Sequence, residues 1–196
     1  MCGIVAVVPK SPANSPLQFA HLDGMLEALH HRGPDGTGVY ADRLVALAMT
    51  RLAIVGGENG RQPVWNEQRS VALVCNGEIY NHSRLRSRLE ALGHVFQTDS
   101  DVETIVHLYE ELGYECVTEL DGIFAFALWD ACRRALFVAR DPLGVKPLYV
   151  ADTGSRFLFA SEIRALLTQP DVRPALDPQG FVDYHTFRFV PGPHTM

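Results

Sequence analysis

Four short apolar runs follow one another late in the chain, at residues 123–129, 135–139, 147–150 and 157–160, with turns between them at 130–134, 141–146 and 151–156. Strands joined by connections this short pair as antiparallel hairpins, because a parallel crossover needs a dozen residues or more. Phe124 and Phe126 repeat with period two and mark one face of such a strand as core, with Trp129 also assigned to the core. Further strand-like runs lie at 3–8, 39–40, 44–49 and 71–75, the second and third flanking a polar turn at 41–43.

Helices are expected between the hairpins. Over residues 17–31 the apolar positions Leu22, Met25, Leu26 and Leu29 recur at helical spacing, and Gly33-Pro34 stops the pattern. Asn81 is placed to cap a helix over 83–92 whose Arg84, Arg86, Arg88 and Glu90 face water, and Gly93 ends it. Ser100 and Glu103 form a capping-box pattern before a helix reaching residue 112. Two more helical runs are expected at 161–167 and around 178–184. Sheets with long helices inserted between hairpins predict an α+β layered domain, and the lack of a Gly-x-Gly-x-x-Gly after any strand argues against a βαβ nucleotide fold. At 196 residues and 47% hydrophobic composition the chain supports one sizeable core.

Charge narrows the function. The formal net charge is -6 and the basic residues are scattered, so no footprint for nucleic acid or an anionic membrane appears, and the expected ligand is small. No apolar run approaches the ~20 residues of a membrane span, which predicts a cytoplasmic protein. The four cysteines, Cys2, Cys75, Cys116 and Cys132, show no Cys-x-x-Cys spacing, and none of the eight histidines falls in a His-Glu-x-x-His motif. Reduced thiols, no disulfide and no metal site are therefore expected, with most histidines on the surface or in loops.

One position breaks the pattern of a plain structural protein. The chain opens Met1-Cys2-Gly3-Ile4, so loss of the initiator methionine would leave a cysteine with a free α-amine. An amine of unperturbed pKa roughly 7.7–8.0 is matched to taking a thiol proton near neutral pH, which places nucleophile and base on one residue. A cysteine at the head of an apolar strand is otherwise a small buried hydrophobe.

Six stretches carry a resemblance that decides between these readings: Met1-Cys2-Gly3-Ile4; His31-Arg32-Gly33-Pro34-Asp35-Gly36; Arg51 to Val55; Asn76-Gly77-Glu78-Ile79-Tyr80-Asn81; Leu120 to Ala127; and Arg140 to Tyr149. Together they resemble the class II glutamine amidotransferases, whose glutaminase domain is an N-terminal-nucleophile hydrolase, and within that family the asparagine synthetase branch. The resemblance implies a four-layer αββα sandwich of two antiparallel sheets. It implies that Cys2 attacks the side-chain amide of L-glutamine to form a γ-glutamyl thioester, and that Asn76 and the backbone N–H of Gly77 stabilise the oxyanion. By the same likeness Arg51 and Asp101 bind the substrate α-carboxylate and α-ammonium, a guanidinium being suited to two parallel hydrogen bonds with a carboxylate. Glu78 is a further acidic candidate, Ile54 and Val55 line the pocket, and Arg32 belongs to an active-site loop. Asn-Gly alone would read as a hairpin turn, and Asp101 alone as a favourable charge in a helix's first turn.

The likeness further implies residues 1–185 as the amidotransferase domain and 186–196, ending Val190-Pro191-Gly192-Pro193-His194-Thr195-Met196, as the start of a linker. A synthetase domain, of the same or a separate chain, would use the ammonia to make asparagine from aspartate. ATP and magnesium belong to that domain, whose Ser-Gly-Gly-x-Asp-Ser loop does not occur here, and no cofactor is expected in this one. A homodimer is compatible with the family. The rival readings are a stand-alone glutaminase, an amidotransferase subunit for another acceptor, and a noncatalytic glutamine-binding domain should Met1 be retained.

Overall fold

The computed structural model describes residues 1–11, 20–52, 60–192 and 194–196. Its strands are β1 (Gly3–Pro9), β2 (Gly36–Ala41), β3 (Ala46–Arg51), β4 (Val64–Trp65), β5 (Val71–Ile79), β6 (Gly122–Asp130), β7 (Ala135–Arg140), β8 (Tyr149–Asp152) and β9 (Arg156–Ala160). The helices are α1 (Ala20–Leu29), α2 (His82–Ala91), α3 (Glu103–Leu112), α4 (Ile163–Leu166) and α5 (Pro178–Phe187). One sheet has the order β2-β3-β1-β9-β8 and the other β4-β5-β6-β7. Every pairing between these strands is antiparallel.

Period-two alternation builds the layers. Ile4 and Ala6 of β1, with Leu47 and Met49 of β3, meet Ala72 and Val74 of β5 and Ala125, Ala127 and Trp129 of β6 in a core between the sheets. The intervening residues point the other way: Val5, Val7, Ala46 and Ala48 pack on Leu22, Met25 and Leu29 of α1 and on α4. Leu73, Cys75, Phe124, Phe126 and Leu128 pack on α2 and α3. The result is helix, sheet, sheet, helix, four layers deep, as the resemblance implies. Small side chains at 72, 125 and 127 face the second sheet, while the phenylalanines fill the thicker gap under the helices.

Two local expectations change, at Asn81 and Glu103, while Asn76-Gly77 stays out of the turn that the dipeptide alone would give. Asn76-Gly77 lies inside β5, paired with Ala125 and Phe124, and makes no turn. Asn81 stands at the start of α2 without capping it: its side chain donates to Glu119 O at 2.8 Å and accepts from Asp121 N at 3.1 Å, tying α2 to the entrance of β6. Glu103 forms no capping box with Ser100. Its buried carboxylate instead accepts from the backbone N–H groups of Gln97 and Thr98 at 2.7 and 2.8 Å and from the Thr98 hydroxyl at 2.5 Å.

Candidate active site

The register places the first residues of the site. Gly3 faces Thr50 across the β1–β3 ladder, so Cys2 continues the ladder opposite Arg51 at its open end. The Cys2 thiol lies against the Leu52 backbone, accepting from its N–H at 3.4 Å with the carbonyl at 3.7 Å. Behind it, Ile4 N donates to Ser161 Oγ at 2.9 Å and Ser161 N donates to Ile4 O at 3.0 Å, which pins the strand that carries the cysteine.

Asn76 follows Ala72 and Val74 on the face of β5 that looks into the gap between the sheets. Beyond the last apolar pair that gap becomes a polar cavity lined by Cys2, Arg51, Asn76, Gly77, Glu78 and Asp101. The Asn76 side chain is buried, and its Nδ2 has no hydrogen-bond partner among the described residues. An amide donor left bare in a buried place costs about 1–3 kcal/mol, a cost that a bound acceptor would offset. Gly77 has a steric reason to be glycine: a Cβ there would come within 2.5 Å of Ile123 O and 2.7 Å of Phe124 Cα, forcing β5 away from β6.

Asp101 precedes α3 and reaches β5, where its Oδ2 accepts from Ile79 N at 2.7 Å. Burial pushes its carboxyl above the ordinary range, opposed by that hydrogen bond and by the nearby His82. Arg32 lies in a single 3₁₀ turn, His30–Arg32. Its Nε donates to Cys2 O at 3.0 Å and one terminal nitrogen donates to Glu162 Oε1 at 2.8 Å, so it holds the backbone of Cys2. Ile54 and Val55 lie outside the described residues.

Three more residues join the cavity. Cys75 is also on its wall, but complete burial, with Asp101 and Cys2 nearby, pushes its thiol well up and keeps it in the neutral, unreactive form. Gln62 clamps the backbone of Cys75 from both sides, accepting from its N–H at 2.6 Å and donating to its carbonyl at 3.1 Å. Lys146 is buried at the cavity and reaches Met1 Sδ at 3.7 Å. Its loop is shaped by Asp141, which accepts from the N–H groups of Phe124, Val145 and Lys146 at 3.3, 2.9 and 3.1 Å. Those bonds draw the Asp141 carboxyl down against the opposing effect of burial. The only sequence signal for Lys146 is the stretch Arg140 to Tyr149, part of the family pattern without an assigned role; Gln62 has none.

The cavity thus brings together a thiol at the head of a central strand, a buried amide donor without a partner among the described residues, a guanidinium and a carboxylate. The family match agrees over the whole length: the model of the glutamine amidotransferase domain covers residues 1–196, and the chain belongs to that family. Among curated relatives, asparagine synthetase [glutamine-hydrolyzing] 1 of Bacillus subtilis (strain 168) is 39% identical over 198 residues, covering 100% of this chain and 31% of the relative. Asparagine synthetase [glutamine-hydrolyzing] 3 of the same organism is 45% identical over 161 residues, covering 81% and 26%. The probable asparagine synthetase [glutamine-hydrolyzing] of Dictyostelium discoideum is 45% identical over 168 residues, covering 85% and 30%. The chain thus spans under a third of each of these relatives.

Among solved structures, the glutamine phosphoribosylpyrophosphate (PRPP) amidotransferase from B. subtilis shares the fold, with a TM-score of 0.68 at 24% identity over 84% of this chain and 43% of that chain. A structure titled the allosteric regulatory enzyme of purine biosynthesis matches with a TM-score of 0.69 at 25% identity, covering 84% of this chain and 43% of its own. Among the described residues no helix is long and apolar enough to cross a membrane.

Proposed function

We propose that this glutamine amidotransferase domain hydrolyses L-glutamine through Cys2 once Met1 has been removed. The freed α-amine takes the thiol proton, and Sγ adds to the substrate's side-chain carbonyl carbon. Asn76 Nδ2 and Gly77 N–H receive the oxyanion. Collapse breaks the C–N bond, the amine's proton leaves with the departing nitrogen as ammonia, and a γ-glutamyl thioester remains. Water then attacks the thioester, releasing glutamate and restoring the thiol. Arg51 and Asp101 hold the α-carboxylate and α-ammonium, with Glu78 beside them, and Arg32 keeps Cys2 in line. Lys146 adds a positive charge to the same cavity, where it favours the oxyanion of the intermediate.

The observation that carries this reading is the unpartnered, buried Asn76 amide in the cavity of Cys2. A donor fixed in advance and unsatisfied in the resting site is what stabilisation of a transient oxyanion requires. The ammonia acceptor is inferred from the relatives: a synthetase domain that makes asparagine from aspartate with ATP and magnesium. The exposed Phe181, Tyr184, Phe187 and Phe189 along and after α5 form an apolar surface suited to such a neighbour. Cys2→Ala is expected to abolish ammonia release from glutamine while the protein melts at nearly the native temperature. Undiminished ammonia release in that variant would refute the mechanism.

A further inference from the structure

On the opposite side of the β4–β5 sheet from the cavity, four side chains converge from three segments of the chain: Glu67 between β4 and β5, His94 between α2 and α3, and His107 and Glu110 on α3. One donor atom of each lies within 4.8 Å of all the others. The His107 ring is fully buried, and that of His94 nearly so, at 12% exposure, so neither is a surface histidine.

The orientation of each group is specific. Nδ1 of His107 lies 3.3 Å from Glu110 Oε2 and 3.8 Å from Glu67 Oε2. Nδ1 of His94 lies 3.7 Å from Glu110 Oε2 and 3.9 Å from Glu67 Oε1. A tetrahedral ion with bonds of about 2.0–2.2 Å sets neighbouring ligand atoms roughly 3.3–3.6 Å apart. The four imidazole–carboxylate spacings lie within a few tenths of an ångström of that range, and the remaining pairs, inside 4.8 Å, would close by up to about 1.5 Å on binding.

Three of the four inward-facing groups, His94, Glu67 and Glu110, are also hydrogen-bonded from behind. Nε2 of His94 meets Glu111 Oε1 at 3.0 Å, and Nε2 of His107 faces Glu103 Oε1 at 3.6 Å. Glu110 Oε1 accepts from Asn66 Nδ2 at 2.8 Å, and Glu67 Oε1 accepts from Val95 N at 2.7 Å. Hydrogen bonds behind His94, Glu67 and Glu110 are the outer shell that orients metal ligands, and at His94 the bond to Glu111 favours the tautomer with Nδ1 bare, whereas His107 Nε2 has no hydrogen-bond partner among the described residues. Four carboxylates surround the two rings, and among the described residues no lysine or arginine pairs with Glu67, Glu103, Glu110 or Glu111. The cluster has carboxylates in excess, with no lysine or arginine among the described residues to offset them.

We propose that Glu67, His94, His107 and Glu110 form a binding site for one divalent transition-metal ion, zinc by preference. Two imidazoles and two carboxylates suit zinc better than the all-oxygen shells of magnesium or calcium. All four positions come from protein, so the ion staples the β4–β5 connection and the segment after α2 to α3 and takes no substrate. It is separate from the Cys2 cavity.

The test uses the 196-residue chain stripped with a chelator, then given zinc or cobalt(II) and separated from free ion. One equivalent of zinc should remain by elemental analysis, and a hundredfold excess over Kd should raise Tm by about 5–10 °C. Cobalt(II) should show the intense visible bands of a four-coordinate ion without thiolate charge transfer. His94→Asn and Glu110→Gln should each lose at least tenfold in affinity while their metal-free Tm stays close to the parent's, Glu110→Gln being nearly isosteric and the safer for folding. No retained zinc, a thiolate band, or unchanged affinity in both variants would overturn the proposal.

Discussion

The cavity at Cys2 and the cluster behind α3 are both incompletely satisfied polar sites, but they lack opposite partners. At the cavity a donor is bare: Asn76 Nδ2 is buried with no partner among the described residues. Behind α3 the surplus is in carboxylates, four of them facing two imidazoles. A protein interior normally pairs such groups, so each imbalance points to what completes it, an oxyanion in the first case and a cation in the second. The sites also differ in time. A bound ion satisfies the α3 cluster continuously and stabilises the fold, whereas the cavity is satisfied only while an intermediate lasts, so its bare donor is a standing cost to stability.

Asn76→Ala separates those two consequences most sharply. It should lower kcat for glutamine hydrolysis by about 10²–10³-fold, with KM changing little, because the donor acts on the intermediate and not on the bound amide. The same change should leave Tm level or raise it, since it removes a buried unsatisfied group. Steady-state kinetics and calorimetry on one preparation would check both, and a large fall in Tm with kcat intact would reverse the assignment.

Asp101→Asn should act on the ground state instead, raising KM for glutamine at least tenfold with a smaller effect on kcat. Because burial raises the Asp101 carboxyl from its ordinary 3.8, acidification should weaken glutamine binding while ordinary aspartates are still ionised. The native KM should therefore climb as pH falls through that raised range, and the variant's KM should be flat there. For stability the sign is the reverse. The folded state holds this proton more tightly than the unfolded chain, so ionising it costs stability as pH rises through the interval above 3.8.

A matched pair sets the scale for both imbalanced sites. Arg156 binds Asp171 through two nitrogens, at 2.8 and 2.5 Å, and draws its carboxyl down to about 2. The stability this adds is present above pH 3.8 and is lost as pH falls toward 2; with Asp171 about a third exposed, solvent screening limits it to about 1 kcal/mol. Denaturant melts at pH 6 and pH 2.5 should show Asp171→Asn less stable by that amount at the higher pH and closer to native at the lower. An equal deficit at both would remove the ionic explanation.

The alternation of Ile4, Val5, Ala6 and Val7, and of Phe124, Ala125 and Phe126, already contained the layers, because period two determines which face meets a sheet and which meets a helix. Cys2 was visible as a nucleophile with its own base, though its standing depended on the company of Arg51, Asn76 and Asp101. Local rules misread the places where tertiary contacts win. Asn76-Gly77 has turn chemistry, yet β6 pairs with both residues. Glu103 has capping chemistry, yet its buried carboxylate bonds to Gln97 and Thr98. Lys146 lay within a recognised stretch, but no spacing tells that its loop folds back onto residue 1 and the cavity of Cys2. Glu67, His94 and His107 are too far apart in the chain for any motif, and only His107 and Glu110 share a helical spacing.

The central claim is that Cys2, with Met1 gone, becomes covalently bonded to the glutamine carbon. A diazoketone analogue of glutamine, incubated with processed protein and followed by peptide mass spectrometry, tests this most directly. The account predicts one adduct per chain, on the peptide beginning with Cys2, slowed by excess glutamine and absent from protein that retains Met1. An adduct on Cys75 or Cys132, or equal labelling with Met1 in place, would contradict it.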